Sequence, residues 1–322
     1  MVKVRDYIVR ATDLTALSVR RLIKEKGFTP EDLLTEEESR KREKLIDQAG
    51  VDAMRAALTD IPFVLEVVGS EGRKHIHQYG EALPTLEGIF GPAGAKLKVD
   101  MVNDVVEGSK AAKLNLPGAV SVIAVGSDKG LMPTLADIDY MDKLFGPPEL
   151  VGKISFDQPV EENLAAVVKT FQVKPAEINV VAMDRDRNAR LINACQKFGV
   201  NLILIQAGDF LPSVLSCLSP TDQKKGIHLV MGIGGFEEGV MAAVAAKALG
   251  AVAEGKGWSG DSRIAVKYKK AWKMDDLVAG KREDCLVSIS FITEDNQWFD
   301  LPPLSTLTVD SSGVKIEKRS HH

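Results

Sequence analysis

Val99-Asp100-Met101-Val102-Asn103-Asp104-Val105-Val106-Glu107-Gly108-Ser109 is the stretch whose reading decides the fold. It opens as a largely apolar strand, then delivers two carboxylates, a glycine and a hydroxyl where the strand should end. Asp104 and Glu107 converge on one point if a turn lies between them, and Gly108 lets backbone or phosphate approach closely before Ser109. Hard oxygen donors on such a bend suit Mg²⁺ or Mn²⁺. On spacing alone the same residues also make a polar turn with Ser109 capping a helix.

Working outward, the design recurs. Pro62-Phe63-Val64-Leu65-Glu66-Val67-Val68-Gly69-Ser70-Glu71-Gly72 is a β-branched strand that ends in an acid between glycines. Met231-Gly232-Ile233-Gly234-Gly235-Phe236-Glu237-Glu238-Gly239-Val240 is a glycine-rich turn that runs into a helix N-terminus. Free N–H groups there favour phosphate, and a glutamate there also gains about 0.3–1 kcal/mol as ordinary helix capping. A dinucleotide fingerprint fits these glycines poorly, because the spacing is wrong and no first β-α-β unit precedes them.

The rest of the chain supplies a frame. Apolar residues at helical spacing predict a helix over 3–26 and a second over 43–58, the latter carrying Asp47. The charged run at 28–43 between them reads as a solvated helix or a mobile insertion. From about 150 strands alternate with helices, which predicts β-α-β crossovers in a parallel or mixed sheet. We expect an N-terminal metal-site lobe over 1–150 and a C-terminal α/β lobe over 151–320, with His321-His322 a tag remnant. A chain of 322 residues with 45% hydrophobic and 27% charged residues is an ordinary globular composition. A net charge of −4 gives no support for a nucleic-acid surface, and no run is long enough to span a bilayer. Cys195, Cys217 and Cys285 are odd in number and set among apolar residues, which predicts reduced core thiols. A cytoplasmic compartment, or the stroma of a photosynthetic eukaryote, follows from these features.

Asp104-Val105-Val106-Glu107-Gly108-Ser109 resembles the Asp-x-(Ile/Leu/Val)-(Asp/Glu)-Gly-(Thr/Ser) motif of the lithium-sensitive, metal-dependent sugar and inositol phosphatases. Its flanks, and the Gly-Ile-Gly-Gly-x-x-Glu-Gly run at 232–239, resemble one branch, the class II fructose-1,6-bisphosphatases. The resemblance implies an α/β fold of the inositol monophosphatase type, with two α/β lobes and alternating helix and sheet layers. It implies a homo-oligomer, dimer or tetramer, that hydrolyses the 1-phosphate of fructose 1,6-bisphosphate, with sedoheptulose 1,7-bisphosphate as a further substrate. Glu71, Asp104, Glu107 and Glu238, with the carbonyl of Val106, would hold Mg²⁺ or Mn²⁺. Ser109 would orient the attacking water and Asp47 would accept its proton. Tyr140 and Lys143, within Tyr140-Met141-Asp142-Lys143-Leu144, and Arg185 and Arg187, within Asp184-Arg185-Asp186-Arg187-Asn188, would hold the sugar phosphates. Asp209, within Ala207-Gly208-Asp209, matches the second acid of the family's Asp-Gly-Asp.

The departures concentrate around these positions. Lys41-Arg42-Glu43-Lys44-Leu45-Ile46-Asp47 replaces the family's Gly-(Asp/Glu)-Lys-Asn-Thr-Ala-Asp. The run Arg73-Lys74-His75-Ile76-His77 is basic where the family is acidic, Val105 replaces a proline, and Asn188 and Ala207 replace a histidine and an aspartate. A relative that has lost catalysis and persists as a binding or regulatory protein would show such a pattern. So would an enzyme with a shifted substrate preference.

Overall fold

The computed structural model describes residues 2–71, 83–258, 270–295 and 297–318. The Arg73–His77 run and His321-His322 lie outside the described residues. In chain order the strands are β1 (Val64–Ser70), β2 (Ile89–Phe90), β3 (Lys98–Glu107), β4 (Val120–Ser127), β5 (Tyr140–Gly146) and β6 (Asn179–Met183). They continue with β7 (Asn201–Ile205), β8 (Ile227–Gly235), β9 (Val252–Trp258), β10 (Leu286–Phe291), β11 (Ser305–Asp310) and β12 (Gly313–Lys318). This is a mixed α/β chain, as the sequence pattern predicts.

The chain divides into one unit of Met1–Pro133 with Glu283–His322 and a second of Thr134–Arg282. That division differs from a single boundary at 150. β5 pairs with β8 and β9 in the second unit, and β10 to β12 return to the sheet of the first. The return has a physical cause in the backbone ladder and in a buried hydroxyl network. β10 pairs antiparallel with β4, and Ser290 on β10 donates to Asp13 of the first helix at 2.8 Å, while Thr306 on β11 bonds the same carboxylate. Buried polar groups need such partners, so these strands and that helix specify one another.

In the first unit a seven-stranded sheet runs β12-β11-β10-β4-β3-β1-β2. β3 lies between β4, antiparallel, and β1, parallel, and every residue of β3 after Lys98 is buried. Helix α1 (Val2–Lys26) buries Val4, Ile8, Ala11, Val19 and Ile23, the stripe that its apolar spacing predicts. Helix α2 spans Glu36–Leu58, beginning seven residues before the predicted start at 43. Thr35 caps it by accepting from the Glu38 N–H at 3.2 Å, Glu38 reaches back to the Thr35 N–H at 2.9 Å, and three glutamates fill the first turn. The second half of the charged insertion is therefore helix, held by local capping where apolar burial is scarce.

The second unit carries a five-stranded mixed sheet in the order β7-β6-β8-β5-β9. β6 is parallel to β7 and β8, and β5 is antiparallel to β8 and β9. The connecting helices at Ala189–Phe198 and Phe210–Ser216 give the crossovers that parallel strands require. The helix Phe236–Leu249 is buried on nearly all sides, because its alanines and Gly239 present almost no bulk. A Cβ at Gly239 would lie 2.7 Å from Met141 Sδ. The three cysteines are free and buried, as expected.

Candidate functional site

In the first unit the end of β3 and one face of α2 build a small acidic cavity. Asp47, Glu71, Asp104, Val106 and Ser109 line it, together with Leu83, Pro84 and Val105, and its volume is about 20 Å³. That is room for a single water or ion. Glu107 belongs to the same end of β3, and carboxylate oxygens of Glu71 and Glu107 lie within 4.8 Å of one another.

Local causes bring these groups together. The β3–β4 register shifts between Asp104 and Glu107, and this bulge turns the two carboxylates, which alternation would otherwise part. Asp104 Oδ1 accepts the Val106 N–H at 2.9 Å, which fixes the bend. Gly108 then takes a left-handed conformation (φ +83°), and a Cβ there would stand 2.8 Å from the Gly118 carbonyl. Ser109, the first residue of the short helix Ser109–Lys113, donates to the Val106 carbonyl at 3.3 Å. The Glu71 N–H donates to the Asn103 carbonyl at 3.2 Å, which ties the end of β1 to β3.

Gly50, unremarkable as sequence, carries Asp47 into place. A Cβ on it would be 3.1 Å from Val105 Cβ, so a glycine one turn beyond Asp47 lets α2 press against the end of β3. The signal was a glycine in the middle of a helix with an acid three residues before it. Asp47 is 6% exposed. Burial raises its carboxyl well above the usual aspartate range, the negative charges of Glu43 and Glu71 add to the rise, and Lys113 opposes it. Lys113 itself pairs with Glu43 at 2.8 Å.

In the second unit four of the five substrate-binding candidates gather around Gly232–Gly235 at the end of β8. Tyr140 and Lys143 stand opposite Gly235 and Gly232 in the ladder. Arg187 donates from Nε to the Ile233 carbonyl at 3.2 Å and lies over the Tyr140 ring at 4.4 Å. Lys143, 1% exposed, bonds Asp209 at 2.8 Å, and the pair leans on Gly234, where a Cβ would stand 1.9 Å from Asp209 Oδ2. Glu238 sits in the first turn of the helix Phe236–Leu249 with its carboxylate folded over Gly235, again where no side chain could be. Arg185 departs from the group and bonds Gln206.

Asn188, which replaces the family's histidine, has a local task that sequence did not suggest. Its Oδ1 accepts the Ile233 N–H at 2.7 Å and its Nδ2 donates to the Met183 carbonyl at 3.0 Å, clamping the arginine loop to β8. The aromatic contacts account for two tryptophans: Trp258 meets Tyr140 edge to face and Trp272 meets Phe236.

Residues 35–297 match the family described as bacterial fructose-1,6-bisphosphatase, glpX-encoded. The chain belongs to this family. Among curated proteins it is 34% identical over 221 residues to the D-fructose 1,6-bisphosphatase class 2/sedoheptulose 1,7-bisphosphatase of Synechococcus sp. (strain JA-3-3Ab), covering 66% of this chain and 62% of that protein. It is 32% identical over 220 residues to the protein of the same description from Thermosynechococcus vestitus, covering 66% of this chain and 61% of that one. For the Synechococcus elongatus protein of that description the identity is 30% over 221 residues, covering 65% and 61%. The chain thus spans 61–62% of the length of these bisphosphatase relatives. Among the described residues no helix is long and apolar enough to cross a membrane.

Proposed function

We propose that this class II bisphosphatase relative releases phosphate from a sugar bisphosphate with the help of Mg²⁺ or Mn²⁺. The observation that carries the reading is the convergence of Asp47, Glu71, Asp104 and Ser109 on one cavity at the end of β3, where Glu107 stands beside Glu71. The donors present are carboxylates and a backbone carbonyl, the hard oxygens that these ions take. Negative charge confined in so little space also calls for a cation.

A divalent ion bound there would polarise the phosphoryl oxygens and lower the pKa of a bound water. Glu71, Asp104 and Glu107 hold it in this reading, with the Val106 carbonyl as a further donor. Ser109 Oγ orients the attacking water. Asp47 takes its proton: burial beside acids makes this carboxyl more basic than an exposed aspartate, which suits a general base. The family resemblance adds Glu238 as a ligand, and Arg187 with Tyr140 as the group that receives a sugar phosphate. Fructose 1,6-bisphosphate and sedoheptulose 1,7-bisphosphate are the substrates to try first, since the relatives are described by them. A dimer or tetramer in the cytoplasm or stroma belongs to the same proposal.

Phosphate release with each substrate and metal, alongside calorimetry with Mn²⁺, tests this. Glu107→Gln should abolish turnover and weaken Mn²⁺ binding, and Glu238→Gln checks its own assignment by the same titration. One observation favours the rival reading of a non-catalytic binding protein: Lys143 and Asp209 are bonded to each other and Arg185 to Gln206. Mn²⁺ binding with background turnover on all substrates would establish that rival.

A further inference from the structure

Helix α1 carries a second stripe beside the one it buries. Val4, Ile8, Ala11, Val19 and Ile23 enter the core, whereas Arg10, Leu14, Leu17, Arg21 and Glu25 recur every three or four residues along another side of the helix. This second stripe borders a groove of about 580 Å³, floored by Leu17, Leu22, Ala53 and Ala57 where α1 meets α2. No residue that lines the acidic cavity lines this groove. Leu14 is 37% exposed, so the groove presents apolar surface to water.

The charges on the stripe select its partner. Arg10, Arg21 and Glu25 are exposed and make no hydrogen bond or ion pair with the described residues. Arg5 on the same helix, by contrast, is paired with Asp310 and Glu317. A free cation, Arg10, thus stands toward one end of the groove and a free anion, Glu25, toward the other, about 22 Å further along the helix. A second copy of α1 laid antiparallel, with a two-fold axis midway between Leu17 and Ser18, matches this pattern along its length. Arg10 then faces the partner's Glu25. Leu14 faces the aliphatic stem of the partner's Arg21, and Leu17 faces the partner's Ser18, whose small side chain lets the two helices approach. The axis repeats each contact, so the ion pair forms twice. A partner of a single charge sign would be opposed at one end of the stripe.

We propose that the α1–α2 groove is the surface through which two copies of this chain associate, an isologous face with Leu14 and Leu17 in its seam and an Arg10–Glu25 pair at each end. The pairing deepens the homo-oligomer of the proposed function by giving it a surface. It rests on that oligomer alone and not on the chemistry of the acidic site.

Sedimentation velocity and light scattering on the full chain, over a range of concentrations and after chelation of divalent ions, test this. Wild type should be a dimer whose dissociation constant rises with salt. Arg10→Glu, or Glu25→Arg, sets like charges opposite one another twice and should raise that constant by about tenfold or more. Arg10→Glu combined with Glu25→Arg should restore wild-type association, which a folding defect would not do. Leu14→Asp places a charge in the seam and should give a monomer with the circular dichroism of the wild type. A wild-type chain that stays monomeric at every concentration overturns both this face and the homo-oligomer. A dimer that keeps its dissociation constant in Arg10→Glu and in Leu14→Asp overturns the face and leaves the homo-oligomer standing. Phosphate release is read separately, so failure of the phosphatase reading leaves this result unchanged.

Discussion

Asp209→Asn is the most informative single change, because it decides whether Lys143 and Asp209 serve the fold or the substrate. The Lys143 ammonium is 1% exposed and the Asp209 side chain 8%, at 2.8 Å. Neutralising the aspartate strands a cation with almost no access to water. Breaking one side of a buried pair in this way costs about 3–5 kcal/mol. The site has little room to relax, since Asp209 already lies against Gly234, and Lys143 against Gly234 and Gly239. In a protein of this size such a loss corresponds to a fall in Tm of roughly 4–7 °C. Urea and thermal unfolding, followed by circular dichroism and tryptophan fluorescence, give the number. Lys143→Met combined with Asp209→Leu should recover most of the stability, because an apolar pair leaves no orphaned charge. The reasoning is refuted if Asp209→Asn melts like wild type while KM for the sugar phosphate rises tenfold. The pair would then be a ligand-holding device that burial merely conceals.

Other expectations are independent of that pair. Burial pushes the Asp142 carboxyl up to about 6, so the folded state holds a proton that the unfolded chain releases near its ordinary value of 3.8. Stability should therefore fall as pH rises from about 4 to 6, by roughly 3 kcal/mol, and Asp142→Asn should flatten that slope in pH-dependent urea titrations. His228 behaves in the opposite sense, because burial lowers its pKa while its Nδ1 accepts the Asn179 N–H at 3.2 Å. Its contribution is full above its unfolded pKa and is lost as pH falls below about 6.5, and an NMR titration should place its midpoint below the ordinary value. Gly108→Ala forces a side chain into a left-handed residue and against the Gly118 carbonyl at 2.8 Å. It should lower stability by about 1–3 kcal/mol, and it should weaken Mn²⁺ binding by displacing Glu107.

The sequence carried the strands and helices well where one period ran unbroken, as in α1, β3 and the alternating segment from Asn179 to Leu249. It placed the start of α2 too late, because the apolar stripe begins well inside the helix and the first turns are held by the Thr35–Glu38 box. It divided the lobes at a composition change, whereas the sheets are closed by backbone pairing between strands far apart in the chain, which leaves no trace in local pattern. At the site, acids at strand ends were legible because carboxylates are costly in such places without a purpose. Gly50 and Asn188 were not, since a missing side chain and a backbone clamp acquire meaning only from the strand that approaches them.

Because residues 134–282 are spliced between β4 and β10, synthesis imposes an order on folding. The second unit is contiguous and can condense while still close to the ribosome. The first must hold β4 with an open edge until β10 emerges and docks on it. Translation stalled just short of Glu283 should therefore leave the acidic end of β3 exposed to proteases and chaperones while the inserted unit is already resistant.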